Sequence, residues 1–312
     1  MDFTMTDEQV LLRDTARALL TQHCPPSLVR AHMDEASATD PLWNHLSEWV
    51  ALADGPLVDL CLFLEECGAV LLPGPFVAAV LAAQLAPTTG SATVAMAGPD
   101  GRWLPNDEET KTFVLEADVV DSVLFVSPAG VEVSRPTELT RVGTVDSTRR
   151  VFEVVTTPGS PVHPRDVHDW LERAYVSLAA EMVGTARWLL QTTLEYAKQR
   201  VQFDVPIGSF QAIQHKLANM SLAVERATSA TYYAAMAIDA DDADRHRAAH
   251  VAKAAAGRAA TLCAKDGIQI HGGIGYTWEH DLHLYIRRAY ASECLFGTSE
   301  WHHDRLADLL LN

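Results

Sequence analysis

The sequence predicts a mainly α-helical protein with a small β middle domain, and three observations carry that prediction. Apolar residues recur at three- and four-residue intervals after about residue 165, the spacing of one helix face, and helical stretches with a capping signal and proline ends fill the part before about residue 90. Between these stretches the pattern changes to short runs rich in Val and Phe, which suit strands. Proline and glycine mark the joints. The expected division is a helical domain over 1–90, a reduced sheet domain over 91–160 and a helical bundle over 161–312.

The first helix is expected from about Asp7 to Gln22, because Thr6 and Gln9 have capping-box spacing and Met5 and Val10 can staple its start; Pro25-Pro26 ends it. A second helical stretch, Val58 to Leu72, stops at Pro73-Gly74-Pro75 and resumes from Phe76 to Leu85. Strands are expected at Thr93–Ala97, Lys111–Leu115, Ser122–Val126, Val131–Ser134 and Val151–Val155, with Ser127-Pro-Ala-Gly130 as a hairpin connection. Val167, Leu171, Ala174, Leu178, Met182, Ala186, Leu189, Thr193 and Tyr196 then lie on one face of a long helix. Pro206 and Gly208 interrupt, and Ser209 is expected to cap a helix whose stripe is Phe210, Ile213, Leu217, Met220, Val224 and Ala227. Such alternating spacing suits packing at about 20° in a bundle. An Ala-rich helix from about Asp241 to His271 and another from about Trp278 to Leu310 complete the chain.

Composition narrows the function. Hydrophobic residues at 48% and charged residues at 21% are ordinary for a globular protein. A formal net charge of -17 argues against nucleic acid or an anionic membrane as partner, and requires any phosphate-bearing ligand to find local positive charge. Five cysteines without regular spacing suit reduced, buried thiols, and the polar opening residues resemble no signal peptide, so a cytoplasmic location is expected. The apolar stretch Val77 to Ala86 is too short to span a bilayer. His280 and His283 have helical spacing but no acidic partner in the zinc-protease pattern, and no metal site is expected.

Two segments combine chemistry with chain breaks. Arg200 stands between a long helix and a Pro/Gly turn; its planar fork suits a pyrophosphate, although from the local sequence alone a surface ion pair is the commoner outcome. Gln269-Ile-His-Gly272-Gly273-Ile-Gly275 follows a helix rather than a strand, so it is no dinucleotide fingerprint. Alone it reads as a helix cap. Asp281, Arg287 and Arg288 suit structural ion pairs, with a partner surface as the other reading for Arg288.

These blocks occur in a telling order: Arg200, Phe203, Pro206, Gly208, Phe210 and Gln211; then Gln269, His271, Gly272, Gly273 and Gly275; then Tyr285, Arg287 and Arg288; then Gly297-Thr298-Ser299. Together they resemble the acyl-CoA dehydrogenase family, strongly from about residue 165 onward and weakly in the middle. The resemblance implies a helical N-terminal domain, a β domain and a C-terminal four-helix bundle. It also implies that Arg200, Phe203, Gln211, Gln269, Gly272 and Gly273 contact FAD belonging to a neighbouring subunit.

The same resemblance exposes a loss. α,β-Desaturation of a CoA thioester needs a carboxylate to take the α proton, and in many family members that carboxylate immediately precedes Gly-Thr-Ser. Here the position is Phe296, which cannot accept a proton. Other members place the base early in the first bundle helix; the matching position falls near Ala174, and Glu172, two residues away, is turned by about 200°. Glu172 and Glu181 are the alternative carboxylates, Glu181 reading more simply as an interhelix pair. No flavin-ring strand is recognisable, and Asp54-Gly55-Pro56 replaces a longer Gly-rich loop.

These losses resemble the short subunit of actinobacterial α2β2 acyl-CoA dehydrogenases acting on steroid-derived thioesters. That implies a chain without a catalytic residue, sharing FAD with a full-length partner that holds most of the acyl-CoA; vacating its own site would leave room for a bulky substrate. The resemblance also allows an electron-transfer flavoprotein as redox partner. A self-sufficient homotetramer with a relocated glutamate and a nonenzymatic scaffold subunit are the competing readings.

Overall fold

A computed structural model describes residues 3–157 and 159–311. Its N-terminal part contains α1 (Asp7–His23), α2 (Pro26–Asp34), α3 (Asp40–Leu46), α4 (Leu57–Ala69) and α5 (Phe76–Leu85). Thr6 Oγ1 accepts from Gln9 N and Gln9 Oε1 accepts from Thr6 N, each at 3.2 Å, so both halves of the expected capping box form. Helices α2 and α3 and the 3-10 turns over 36–39 and 47–54 lie where no element was expected, because short amphipathic pieces carry too little periodicity to register.

The strands follow. β1 (Ala92–Ala95), β3 (Ser122–Ser127), β4 (Gly130–Ser134) and β7 (Ser160–Pro161) form one sheet in the order β1-β3-β4-β7, with β1 and β3 parallel. A second, antiparallel sheet joins β2 (Thr110–Leu115), β6 (Val151–Thr156) and β5 (Pro136–Val142) in the order β2-β6-β5. The expected hairpin pairs β3 with β4, closing at Ser127 opposite Gly130. β5 was not anticipated, since most of its side chains are exposed and it has no apolar alternation.

The C-terminal half is a bundle of α6 (Val167–Gln199), α7 (Gln211–Asp239), α8 (Arg245–His271), α9 (Leu282–Cys294) and α10 (Ser299–Leu311). Asp166 caps α6 by accepting from His168 N at 2.8 Å and Asp169 N at 3.2 Å. Helices α4 and α6 cross backbone against backbone at two glycines. A Cβ on Gly68 would lie 1.9 Å from Glu181 O, and one on Gly184 would lie 1.9 Å from Glu65 O. The N-terminal helices are thereby clamped to the bundle.

Three expectations are corrected. Ser209 does not cap α7: its Oγ donates to Pro206 O at 2.7 Å, and the helix starts at Gln211. The Ala-rich helix begins at Arg245 rather than Asp241, which takes φ 48° just beyond the end of α7. The helix expected from Trp278 to Leu310 is two helices, broken where Phe296 has φ 55° and Gly297 φ 100°. Four cysteines are buried as expected, but Cys294 is exposed. No described helix is long and apolar enough to cross a membrane.

Candidate functional site

The break between α9 and α10 delivers Phe296 inward. Its side chain is 2% exposed and stacks on Trp103 with ring centroids 4.0 Å apart, while Trp170 meets it edge-on at 5.8 Å. Trp103 comes from the β1–β2 loop and Trp170 from the first turn of α6, anchored by its Nε1 donating to Leu81 O at 2.8 Å. Three separate regions therefore meet at Phe296, the position where the family resemblance would place a base. Sequence reasoning missed Trp103, which lies in a loop and joins no motif.

The loop holding Phe296 is fixed from below. Lys253 of α8, fully buried, donates to the carbonyls of Ser292, Glu293 and Gly297 at 3.4, 3.2 and 3.0 Å, capping the C-terminus of α9. Burial pulls its ammonium down to about 8, against the opposing effect of Glu293. His302 faces Phe296 O at 3.2 Å through Nε2, and its Nδ1 lies 2.7 Å from His250 Nδ1. Burial lowers His302 to about 2 and His250 to about 4, so both rings are neutral at neutral pH. The geometry then sets the tautomers: His302 Nε2–H donates to Phe296 O, and His250 Nδ1–H donates to His302 Nδ1.

Neither glutamate faces Phe296 as a free acceptor. Glu181 takes Arg149 Nη2 at 2.5 Å and Arg288 Nη1 at 3.0 Å, and Arg288 also binds Asp146 at 2.5 Å and Thr148 Oγ1 at 2.7 Å. This buried network ties the β5–β6 loop to α6 and α9 with two cations against two carboxylates. Burial opposes the Arg288 charge, but Asp146 and Glu181 outweigh it and hold the guanidinium above its ordinary value. Arg288 is thus an internal ion-pair residue, not a partner contact. Asp281 pairs with Arg30 at 2.6 Å, and Arg287 sits over the Trp278 ring at 5.5 Å. Glu172 bonds His246 and lies near Arg245; burial raises its carboxyl despite both. On α6 it is Trp170, not Glu172, that reaches Phe296.

The six residues expected to meet a neighbour's cofactor gather at the other end of the bundle. Arg200 caps α6, and its carbonyl accepts from Ile207 N at 2.8 Å across the hairpin of β8 (Val201–Gln202) and β9 (Val205–Pro206). Phe203 and Asp204 form the two-residue hairpin turn, both at positive φ, and Phe203 is 88% exposed. Its ring meets Phe210 edge-on at 6.2 Å, next to Gln211 at the start of α7. Gln269, Gly272 and Gly273 lie at the end of α8. The α6 and α8 ends meet where Tyr196 stacks on His271 at 4.3 Å, and Lys216 pairs α7 with Asp266.

All six are exposed, and among the described residues the Arg200 guanidinium has no partner. A Cβ at Gly272 or Gly273 would meet nothing within 4 Å, so packing inside the chain does not demand glycine at Gly273; Gly272, at φ +63°, needs it for backbone reasons. An exposed phenylalanine at φ 53° is likewise unexplained by the chain's own packing. Some thirty helical residues separate this end from Trp170, about 45 Å along α6.

Residues 168–311 match the acyl-CoA dehydrogenase C-terminal domain family. The chain is 34% identical over 312 residues to the acyl-CoA dehydrogenase IpdE2 of Mycobacterium tuberculosis, covering 93% of each chain. Its fold is shared with the ChsE4-ChsE5 complex from Mycobacterium tuberculosis, with a TM-score of 0.87 at 22% identity over 100% of this chain and 99% of that one. It is shared also with the Tcur3481-Tcur3483 steroid ACAD G363A variant, with a TM-score of 0.82 at 24% identity over 98% of both chains.

Proposed function

Because the chain belongs to the acyl-CoA dehydrogenase family, we propose that it is the noncatalytic subunit of an α2β2 FAD-dependent dehydrogenase, completing the FAD site of a full-length partner. One observation carries the reading: Phe296 is packed between Trp103 and Trp170 where the base would stand, while Arg200, Phe203, Gln211, Gln269, Gly272 and Gly273 all face outward. A chain serving its own flavin would keep the acceptor and the ring-facing space. At the acceptor position this one carries Phe296, packed against Trp103 and Trp170.

The outward surface suits the cofactor's pyrophosphate arm. Uncommitted among the described residues, the Arg200 guanidinium can be given to phosphate oxygens, and the open backbone at Gly272 and Gly273 permits close approach. FAD bound there would supply the hydride acceptor, and the partner would supply the base. On this reading neither Glu172 nor Glu181 acts in the chemistry: Glu181 is paired with Arg149 and Arg288, and Glu172 bonds His246 with Arg245 nearby. The likeness to the ChsE4-ChsE5 complex and to a steroid ACAD supports a two-chain assembly and a polycyclic acyl group on the CoA thioester.

The test is stoichiometry. Co-expressed with its partner and purified, the complex should hold one FAD per pair of unlike chains, and the chain alone should hold none. One FAD per chain in a homo-oligomer active on an acyl-CoA would refute the proposal.

A further inference from the structure

Trp103 lines two cavities. The larger, about 580 Å³, runs past Phe296, Trp301, Arg102 and Arg305. The smaller, about 310 Å³, is walled by Phe113, Val145 and Val151 from the sheet region and by Tyr290, Ala291 and Leu295 from the end of α9. Its walls are mostly apolar, and its volume falls at the lower end of the roughly 300–1,000 Å³ typical of small-molecule pockets.

Several features show a built chamber rather than a packing gap. The pairing of β2 with β6 shifts between Lys111 and Val114, and Phe113 takes φ 55° in the irregularity. A bulge of this kind re-aims a side chain out of the strand alternation, and left-handed backbone at phenylalanine is kept at a cost. Here the re-aimed ring lines the cavity, 6.3 Å from Trp103. Val145 at 63% and Tyr290 at 45% exposure leave apolar surface at its mouth. Asp146 and Arg149 also line it, yet their charges are spent. Asp146 binds Arg288 and Thr148, and both Arg149 Nη atoms bond Ser292 and Glu181.

We infer that the chamber between Trp103, Phe113 and Tyr290 is a binding site for a small, uncharged, ring-shaped apolar molecule of one or two fused rings. The apolar walls supply the attraction, the aromatic rings favour a flat or carbocyclic shape, and the self-neutralised polar residues select against a charged ligand. The larger cavity is a poorer candidate for an apolar ligand, because the exposed side chains of Arg102 and Arg305 make its lining substantially polar.

The probe is α-tetralone, a neutral fused-ring ketone, followed by saturation-transfer NMR on the full-length chain. Saturable binding is expected, weakened about tenfold or more by Ala291→Trp, which fills the chamber, and by Val145→Arg, which blocks its mouth from an exposed position. Arg305→Ala, in the larger cavity, should leave the affinity within about twofold. Absence of saturable binding up to the solubility limit would overturn the assignment, as would binding that Val145→Arg leaves unchanged in a protein of native thermal stability.

Discussion

The Phe296 ring lies against the Trp103 indole with 4.0 Å between centroids and 20° between planes, so the residue in the base position is a packed core residue. Restoring the carboxylate should therefore not restore the enzyme. Phe296→Glu would place an acid between two indoles, while Lys253, the buried cation below this loop, is already given to the carbonyls of Ser292, Glu293 and Gly297. We expect a loss of roughly 3–5 kcal/mol in urea unfolding, the range for an uncompensated buried charge, and no dehydrogenase activity from the isolated chain. An active, stable variant would show that the site is intact and merely lacks its base.

Glu181 provides the complementary test. Replacing it with Ala leaves Arg149 and Arg288 facing each other across a buried network that has lost one of its two carboxylates. The expected cost is roughly 3–5 kcal/mol of stability. A residue acting as catalytic base would instead give a stable chain whose complex with the partner has lost turnover. Unfolding curves and activity of the assembled complex, measured on the same preparation, separate the two.

How far the sequence reached can be judged from these residues. The long helices, the β3–β4 hairpin and the capping box at Thr6 were legible because periodicity and local chemistry act over a few residues. That Glu181 would be paired was also legible, since a buried unpaired carboxylate is rare. Its partners were not: Arg149 and Arg288 lie 32 and 107 residues away. The break at Phe296 was missed although Gly297-Thr298-Ser299 offers a local stop signal, and the aromatic stack that holds Phe296 inward depends on Trp103, in a loop nearly two hundred residues earlier. Trp103 itself belongs to a segment without periodicity, so only the tertiary structure could assign it.

The glycine pair of α4 and α6 predicts a sharp contrast. Gly184→Ala would drive a methyl to 1.9 Å from Glu65 O, and only a separation of the two helices could relieve it. A destabilisation of about 3 kcal/mol or more is expected, at the upper end for overpacking. Gly143→Ala, where a Cβ meets nothing within 4 Å, should stay within about 1 kcal/mol of the parent. Thermal unfolding of both variants decides it.

Acid should weaken the fold well before most carboxylates protonate. His302 and His250 have folded-state values of about 2 and about 4, below the ordinary 6.5. Well above 6.5 both are neutral whether folded or not, and their contribution is complete. Below it the unfolded chain takes up protons that the folded one refuses, so stability falls as pH drops from 6.5 towards 4. The slope is at most about 1.4 kcal/mol per pH unit for each histidine. Glu172, raised by burial, acts in the opposite sense in acid and softens the fall. Urea unfolding at stepped pH should show the decline, and His302→Gln should flatten it; an unchanged slope would mean that another group sets it.

Arg200→Ala tests the outward surface without disturbing the chain, since the guanidinium has no partner among the described residues. Its removal should leave the melting temperature of the isolated subunit unchanged. In the complex, losing a charged hydrogen bond to a phosphate should weaken FAD retention by roughly 1.5–3 kcal/mol, or about 10- to 150-fold in dissociation constant. Arg200→Lys should recover part of the loss, because a point charge replaces the fork without its paired geometry. Flavin absorbance of the complex during dilution and desalting gives the readout. Equal retention by the parent and Arg200→Ala would remove Arg200 from the cofactor surface, whereas a fall in the melting temperature of the isolated subunit would assign it a structural role.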